Sequence, residues 1–261
     1  MSLRIANQSQ LARTTPQAPY LQYALAETAE EVLASQQLRY QVFAKEQGAM
    51  LESAHLGIDC DHYDAYCQHL LVKELATGQV IGSTRILTLD NARKAGSFYS
   101  ENEFDLRKLL PLPGKVIEIG RTCIHPEFRN GVGIGMLWAG LAQFVEQQQI
   151  DYLFGCASVS MRDGGAQAAA IMQHVKTRHL APASMRVEPL VRLLAAPPAT
   201  VLNLPPLLKS YLKLGAWVAG EPCLDPDFNV ADIFILLDMQ QLNQRYQRHF
   251  VQSTLQRRPL H

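Results

Sequence analysis

The side chains best suited to chemistry in this sequence lie in Glu118-Ile119-Gly120-Arg121 and among the charged residues upstream of it. A carboxylate flanked by Ile117 and Ile119 loses hydration in its charged form, so its pKa rises toward the working range of a general base. Arg121 can hold or orient a carboxylate. Strict alternation along a strand puts Glu118 and Arg121 on opposite faces, so either a bulge lies between them or the two residues have separate roles. Upstream stand Arg39, the triplet Asp59-x-Asp61-x-x-Asp64, and Arg85 in Gly82-Ser83-Thr84-Arg85. Two readings stay open for these charges. Either they bind the oppositely charged ends of a small ligand, or the acids form a surface loop and each arginine makes an ion pair between elements.

The second candidate is the loop Arg129-Asn130-Gly131-Val132-Gly133-Ile134-Gly135, set between an apolar run and an amphipathic one. Glycines let several backbone N–H groups converge, and the following helix adds the positive end of its dipole, an arrangement that suits a phosphate. Met136 and Leu137 stand where a Walker A loop needs Lys and Ser or Thr. The third glycine and Asp151 are misplaced for a dinucleotide fingerprint. The alternative is a glycine-rich turn that only permits tight helix–strand packing. Ser158 and Ser160, after the next apolar run, can bond a substrate or cap the next helix. Cys60-x-His62 and Cys67-x-His69 raise the question of a metal. Their spacing is shorter than that of structural zinc sites, and His69 leads straight into an apolar strand, so packing is expected and no metal. Cys123 has no histidine poised to activate it and is expected as a buried strand cysteine.

The elements that must position these groups follow from periodicity. Tyr20 to Ala26 predicts a short strand, and Thr28 with Glu31 forms a capping box that starts a helix running through Val32, Tyr40 and Phe43 toward Gly48. His69 to Glu74 and Val80 to Leu87 predict a hairpin turning at residues 76–79. Val116 to Ile124 predicts a third strand. Ile134, Leu137, Trp138, Leu141, Phe144 and Val145 recur at helical spacing up to Gln149. Tyr152 to Ala157 predicts a strand, and residues 160–206, punctuated by Gly164, Gly165, Pro182, Pro189, Pro197 and Pro198, an irregular helical insertion. A helix from Leu207 to Leu214 and strands at Ala216–Ala219 and Ala231–Leu237 close the pattern. The expectation is one mixed α/β domain over residues 20–238, with a flexible tail at 1–19 and a basic tail at 239–261 carrying Arg245, Arg248, Arg257 and Arg258.

The 261 residues suffice for a substantial core, and 24 basic against 24 acidic residues leave no cationic excess for nucleic acid. Five cysteines (Cys60, Cys67, Cys123, Cys156, Cys223) without a CxxC pair fit a reducing cytoplasm. No stretch approaches the roughly 20 continuous apolar residues of a membrane span, so the expected location is cytoplasmic, at most peripheral to a membrane. The basic C-terminal tail either contacts anionic lipid or is a solvated basic tail.

The loop Asn130-x-x-Gly133-x-Gly135 between strand and helix resembles the acyl-CoA pyrophosphate loop of GNAT acyltransferases, whose first residue is usually Gln or Arg. Residues 211–216 before the last two strands look like the closing part of that fold. The order Leu38-Arg39, Asp59-x-Asp61-x-x-Asp64, Arg85, Glu118-x-x-Arg121 resembles the acyl-homoserine-lactone synthases, the N-acyl amino acid synthases and the ornithine N-acyltransferases that begin ornithine-lipid synthesis. Asp61-x-x-Asp64-x-x-Cys67-x-His69-Leu70-Leu71-Val72, Phe98-Tyr99-Ser100-Glu101-x-Glu103-Phe104-Asp105-Leu106, His125-Pro126-Glu127-Phe128-Arg129, Leu137-Trp138 and Asp225-Pro226-Asp227-Phe228-Asn229-Val230-Ala231-Asp232 are closest to the ornithine acyltransferases. The resemblance spans roughly residues 20–246.

It implies a GNAT fold, a mixed central sheet flanked by helices, and transfer of a long (3-hydroxy)acyl chain from a phosphopantetheine thioester to the α-amine of ornithine or a similar amino acid. Glu118 would take the ammonium proton, directly or through a water, and Arg121 would hold a carboxylate. Arg129, Asn130, Gly131, Gly133, Gly135 and Ser158 would bind the donor. Asp59, Asp61 and Asp64 would face the cationic end of the amino acid, and Arg39 or Arg85 its carboxylate. Because Asn130 replaces the usual Gln or Arg, acyl carrier protein is expected as donor before acyl-CoA. Arg107, Lys108, Arg129, Lys176 and Arg178 are candidates to steer that acidic partner. The alternatives are a lactone synthase using S-adenosylmethionine and a catalytically idle GNAT-like module that binds acyl carrier protein.

Overall fold

The computed structural model describes residues 20–242. The tails expected at 1–19 and over most of 239–261, including the four arginines, lie outside the described residues. Strand β1 (Leu21–Leu25) leads to Thr28, whose side chain accepts from the Glu31 N–H while Glu31 reaches back. That capping box starts α1 (Ala29–Tyr40), and the chain continues into a π-helical turn, Gln41–Glu46. The hairpin follows as β2 (Gln68–Glu74) and β3 (Val80–Thr88), then α2 (Leu89–Ala95), which Thr88 caps. The pair β4 (Phe104–Asp105) lies ahead of β5 (Val116–Ile124), α3 (Val132–Gln148) and β6 (Tyr152–Ser160). The chain ends with α4 (Ala166–Val175), β7 (Glu188–Pro189), α5 (Pro206–Leu214), β8 (Trp217–Val218), β9 (Cys223–Asp225) and β10 (Val230–Asp238).

The main sheet runs β1-β2-β3-β5-β6-β10-β8, with β9 also on β10, while β4 pairs with β7 apart from it. Its central strands are buried on both faces, which explains why they read as apolar runs rather than as clean alternation. On one face Leu70, Val72, Ile86, Ile117 and Ile119 pack against Leu137, Leu141 and Phe144 of α3, and α4 and α5 extend that layer. On the other, Leu38 and Val42 of the first helical segment meet Leu71, Val80 and Cys123. Beside them Phe98, Phe104, Leu106 and Leu109 pack on Phe154 and Phe234, which stack at 5.2 Å.

Two irregularities in this sheet make room for a site. Strands β5 and β6 pair in parallel only over Val116–Glu118 and Tyr152–Phe154, after which they separate, while β6 stays in register with β10 along its whole length. Gly155 stands where they part, and a Cβ there would lie 2.2 Å from the Ile119 carbonyl oxygen. The second is a bulge in β5 against β3, where Ser83 faces Cys123 but Arg85 faces Gly120. Arg121 takes up the extra residue with φ of 51°, a left-handed conformation uncommon outside glycine.

The segment 160–206 contains one α-helix, α4, a short 3₁₀ turn at Ala183–Met185 and the β7 pairing; the rest is extended or irregular chain. The prolines that punctuate it remove donors and fix φ, so helix propensity does not accumulate there.

Candidate active site

The bulge brings Glu118 and Arg121 onto one face of β5, where both meet Tyr99 of the Tyr99–Asn102 turn. Glu118 is 4% exposed. Its Oε1 accepts from the Ser100 N–H at 2.8 Å and the Ser100 hydroxyl at 2.5 Å, and its Oε2 accepts from the Tyr99 N–H at 2.8 Å. Burial pushes its pKa up, and the donors of Ser100 and Tyr99 pull it back. A cavity of about 10 Å³, at the lower limit of room for one water, adjoins Glu118, Arg85, Cys67 and the Tyr63 and Tyr99 rings.

Arg121 is clamped between two aromatic faces, with Tyr99 at 4.7 Å and Phe228 at 4.5 Å from its guanidinium carbon. Its Nε donates to Asp59 at 3.2 Å and one terminal nitrogen to Asp61 at 3.5 Å. The three expected aspartates are therefore matched by three arginines. Arg39, fully buried on α1, donates to Asp59 at 2.9 Å and through two nitrogens to Asp64 at 2.6 and 3.0 Å. Arg85 on β3 donates to Asp61 at 2.5 Å and lies 3.5 Å from Asp64. Asp61 also caps the His62–Ala65 turn by accepting from the Tyr63 N–H. Arg39 and its partners hold Asp64 far below the usual carboxylate range despite burial.

Of the three Asp side chains, Asp61 is the most exposed at 25%, against 3% for Asp59 and 6% for Asp64. The sequence reading gave these acids to a ligand cation. The structure commits all three to arginines, Asp59 and Asp64 through Arg39 and Asp61 through Arg85 and Arg121, and leaves Asp61 the most exposed.

The glycine loop divides its labour. Gly131 has φ of 93° and begins α3, and the Asn130 side chain accepts from the Val132 N–H at 3.1 Å. A Cβ at Gly133 would meet the Phe128 carbonyl oxygen at 3.0 Å and Ile124 at 3.2 Å, so this glycine serves close helix–strand packing. Gly131 and Gly135 face open space. The first-turn N–H groups of Gly133 and Ile134 have no intrahelical acceptor, as at any helix start, and point along the dipole. Arg129 makes a two-pronged pair with Glu46 at 2.5 and 2.7 Å. Ser158 is exposed on β6 past the point of strand separation and donates to Asp232 at 2.7 Å.

The remaining candidates have local partners. Cys123 is buried, and burial pushes its thiol up to about 12, away from a nucleophilic thiolate. His62 lies 2.8 Å from the Ala95 carbonyl oxygen, and His69 is 3.2 Å from that of Asp64. Burial lowers the His69 pKa, which favours the neutral imidazole. Sequence reasoning gave no role to Tyr99, Ser100 or Phe228, which hold Glu118 and Arg121. It likewise gave none to Glu103, Asp225 and Asp232. All six lie within the two strings quoted as signatures, Phe98–Leu106 and Asp225–Asp232, and that was the available signal.

A parallel strand pair that separates beside a buried carboxylate, next to an open glycine turn at a helix start, defines a GNAT-type N-acyltransferase fold, which takes an acyl thioester as donor. The acetyltransferase (GNAT) domain family matches residues 38–139. Among solved structures, the N-acyl amino acid synthase FeeM from uncultured soil microbes aligns with a TM-score of 0.50 at 13% identity, over 90% of this chain and 98% of that one. The CoA-dependent acyl-homoserine lactone synthase BjaI aligns with a TM-score of 0.50 at 16% identity, over 88% and 89%. At such identities the likeness concerns the fold. The L-ornithine N(alpha)-acyltransferase of Rhizobium meliloti is 34% identical, covering 88% of this chain and 84% of that protein. The enzyme of the same name from Rhodobacter capsulatus is 33% identical, covering 87% and 93%. The chain belongs to the L-ornithine N(alpha)-acyltransferase family and is an acyltransferase.

Proposed function

We propose that this enzyme transfers a long (3-hydroxy)acyl chain from acyl carrier protein to the α-amine of ornithine, the first step in making an amino-acid-based lipid. The names of the relatives, at 30–34% identity over most of the chain, support ornithine as acceptor. The observation that carries the reading is the separation of β5 from β6 immediately after Glu118. It leaves a slot through the sheet that can admit a pantetheine arm from the α3 side to the face bearing Glu118 and Arg121.

In this mechanism the neutral amine attacks the thioester carbonyl. A C–N bond forms, the C–S bond breaks, and the pantetheine sulfur leaves and takes up a proton. Glu118, whose two oxygens are engaged by Ser100 and Tyr99, receives the ammonium proton through a water in the adjoining cavity. Arg121 directs the substrate carboxylate. The network of Arg39, Arg85, Asp59, Asp61 and Asp64 fixes the Arg121 side chain and leaves Asp61 as its accessible acid. Gly131, Gly133 and Gly135 with Asn130 receive the phosphopantetheine phosphate on the α3 dipole, Arg129 frames that loop through Glu46, and Ser158 lines the slot.

Acyl carrier protein is favoured over acyl-CoA because the loop begins with Asn130, whose side chain is used to cap α3. No helix among the described residues is long and apolar enough to cross a membrane. Incubation with a panel of amino acids and matched long-chain 3-hydroxyacyl donors, on carrier protein or CoA, followed by mass spectrometry, tests the reading. N-acylornithine formed from the carrier supports it. S-adenosylmethionine-dependent lactone as product, or no product with any acceptor, overturns it.

A further inference from the structure

Three carboxylates stand beside the site with no lysine or arginine at ion-pair distance among the described residues. Glu103 follows the Tyr99–Asn102 turn, Asp225 ends β9 and Asp232 lies on β10, with one oxygen of each within 4.8 Å of the others. Glu103 and Asp232 are only 8% and 4% exposed. Asp225 Oδ1 accepts from the N–H groups of Asp227 and Phe228, Asp232 Oδ1 accepts from Ser158, and Glu103 Oε2 receives only the Cys156 thiol at 3.4 Å. Among the described residues, Glu103 Oε1 and Asp232 Oδ2 accept no hydrogen bond, and none of the three acids has a lysine or arginine within ion-pair distance. Arg121 acts on Asp232 through space, but its hydrogen bonds go to Asp59 and Asp61.

The contrast with Asp59, Asp61 and Asp64, each paired with arginine, separates a structural acid cluster from one kept available. A buried carboxylate without a counter-ion is costly, and here the fold retains two of them facing a third. Burial and their mutual repulsion push Glu103 up and Asp232 up to about 6. The cluster also adjoins the chemistry. The Cys156 sulfur lies 3.7 Å from the Ser100 hydroxyl that binds Glu118, and Ser158 sits on the slot.

We propose that Glu103, Asp225 and Asp232 bind the side-chain ammonium of a dibasic amino acid, making this cluster the element that selects the acceptor. The inference rests on the N-acyltransfer reading above. An ammonium offers three N–H donors to three carboxylates. A hard divalent cation needs six or more oxygen ligands, and the cluster places a thiol among its nearest neighbours.

Calorimetric titration of the full-length protein with ornithine, with norvaline, which lacks only the terminal amine, and with calcium chloride alone tests the assignment. Ornithine is expected to bind at least about 10-fold more tightly than norvaline, with that ratio collapsing toward one in Glu103→Gln, because a charged donor loses its acceptor. The ligand-free Glu103→Gln protein is expected to melt at or above the wild-type temperature, since a buried charge is removed; Asp225→Asn provides the same test should that variant not fold. Equal binding of ornithine and norvaline, an unchanged ratio in the variant, or calcium binding that the variant abolishes while the ratio persists would each overturn the proposal. Acylation assays on both acceptors run in parallel report separately on the function. No product from either rejects N-acyl transfer without touching the binding result, and equal kcat/KM for both rejects the cluster while upholding transfer.

Discussion

Glu118 combines a buried position with three short hydrogen bonds, and these pull its proton affinity in opposite directions. If its carboxylate receives the amine proton, Glu118→Gln keeps the shape and the Ser100 contact but lowers kcat by about 10² or more. In the wild type, kcat/KM is then expected to fall as acidity rises through a pKa above the ordinary carboxylate range, because protonation removes the acceptor. A variant with wild-type turnover at every pH would remove Glu118 from the mechanism. Arg39 carries a different kind of weight. It is fully buried between Asp59 and Asp64, and replacing it by Met removes the shortest ion pair of each acid and leaves Asp59 to Arg121 at 3.2 Å and Asp64 to Arg85 at 3.5 Å, a loss of about 3 kcal/mol. Thermal unfolding is expected to shift down by about 10 °C. Because Asp64 is held below its unfolded pKa, the stability it contributes is complete above about pH 4 and drains away as pH falls further. Arg39→Met is expected to flatten that acid limb of the stability curve.

At the level of elements, the glycine turn and the start of α3 offer a clean separation of packing from binding. Gly133 faces Phe128 and Ile124, whereas Gly135 faces open space. Gly133→Val is therefore expected to cost stability before it affects any ligand, by about 1–3 kcal/mol from overpacking. Gly135→Val sits on a helical backbone and is expected to leave the melting temperature within a few degrees, while raising KM for the acyl donor and not for the amino acid. Steady-state kinetics with each substrate varied in turn settle it, and equal effects on both Michaelis constants would count against phosphate binding at this turn. The bulge at Gly120–Arg121 and the parting of β5 from β6 belong to the same account. One turns Arg121 onto the Glu118 face, and the other opens the sheet beside it.

For the molecule as a whole, surface charge bears on the size of the donor. Of the cations suited to steering an acidic carrier, Arg129 pairs with Glu46, Arg107 with Asp105 and Lys176 with Glu221. Lys108 and Arg178 make no ion pair among the described residues and carry the expectation forward. If acyl carrier protein is the donor, kcat/KM falls steeply as salt rises past about 0.15 M, and Arg178→Glu reproduces part of the loss at low salt. Matched acyl-CoA and acyl-carrier donors used equally well, with no salt effect on either, would show that the carrier is not selected.

Much of this architecture is local in origin and was legible in the chain. The Thr28–Glu31 box, the 3.6-residue spacing from Ile134 to Val145, the hairpin around residues 76–79 and the apolar runs of β5 and β10 each depend on neighbours a few residues away. The residues of Glu118-x-x-Arg121 and the glycine turn were visible for the same reason, but alternation alone left a bulge and separate roles for Glu118 and Arg121 equally open, and the register of β5 against β3 decided for the bulge. Which acids are neutralised and which stay free was not legible. Asp59 meets Arg39, 20 residues before it, and Arg121, 62 residues after it, only through packing of α1 and its own loop against β5, and Glu103, Asp225 and Asp232 gather from separate parts of the chain. Charge matching is a through-space property, so a sequence that names every charged group still leaves the pairing, and with it the groups left over for a ligand, to the tertiary fold.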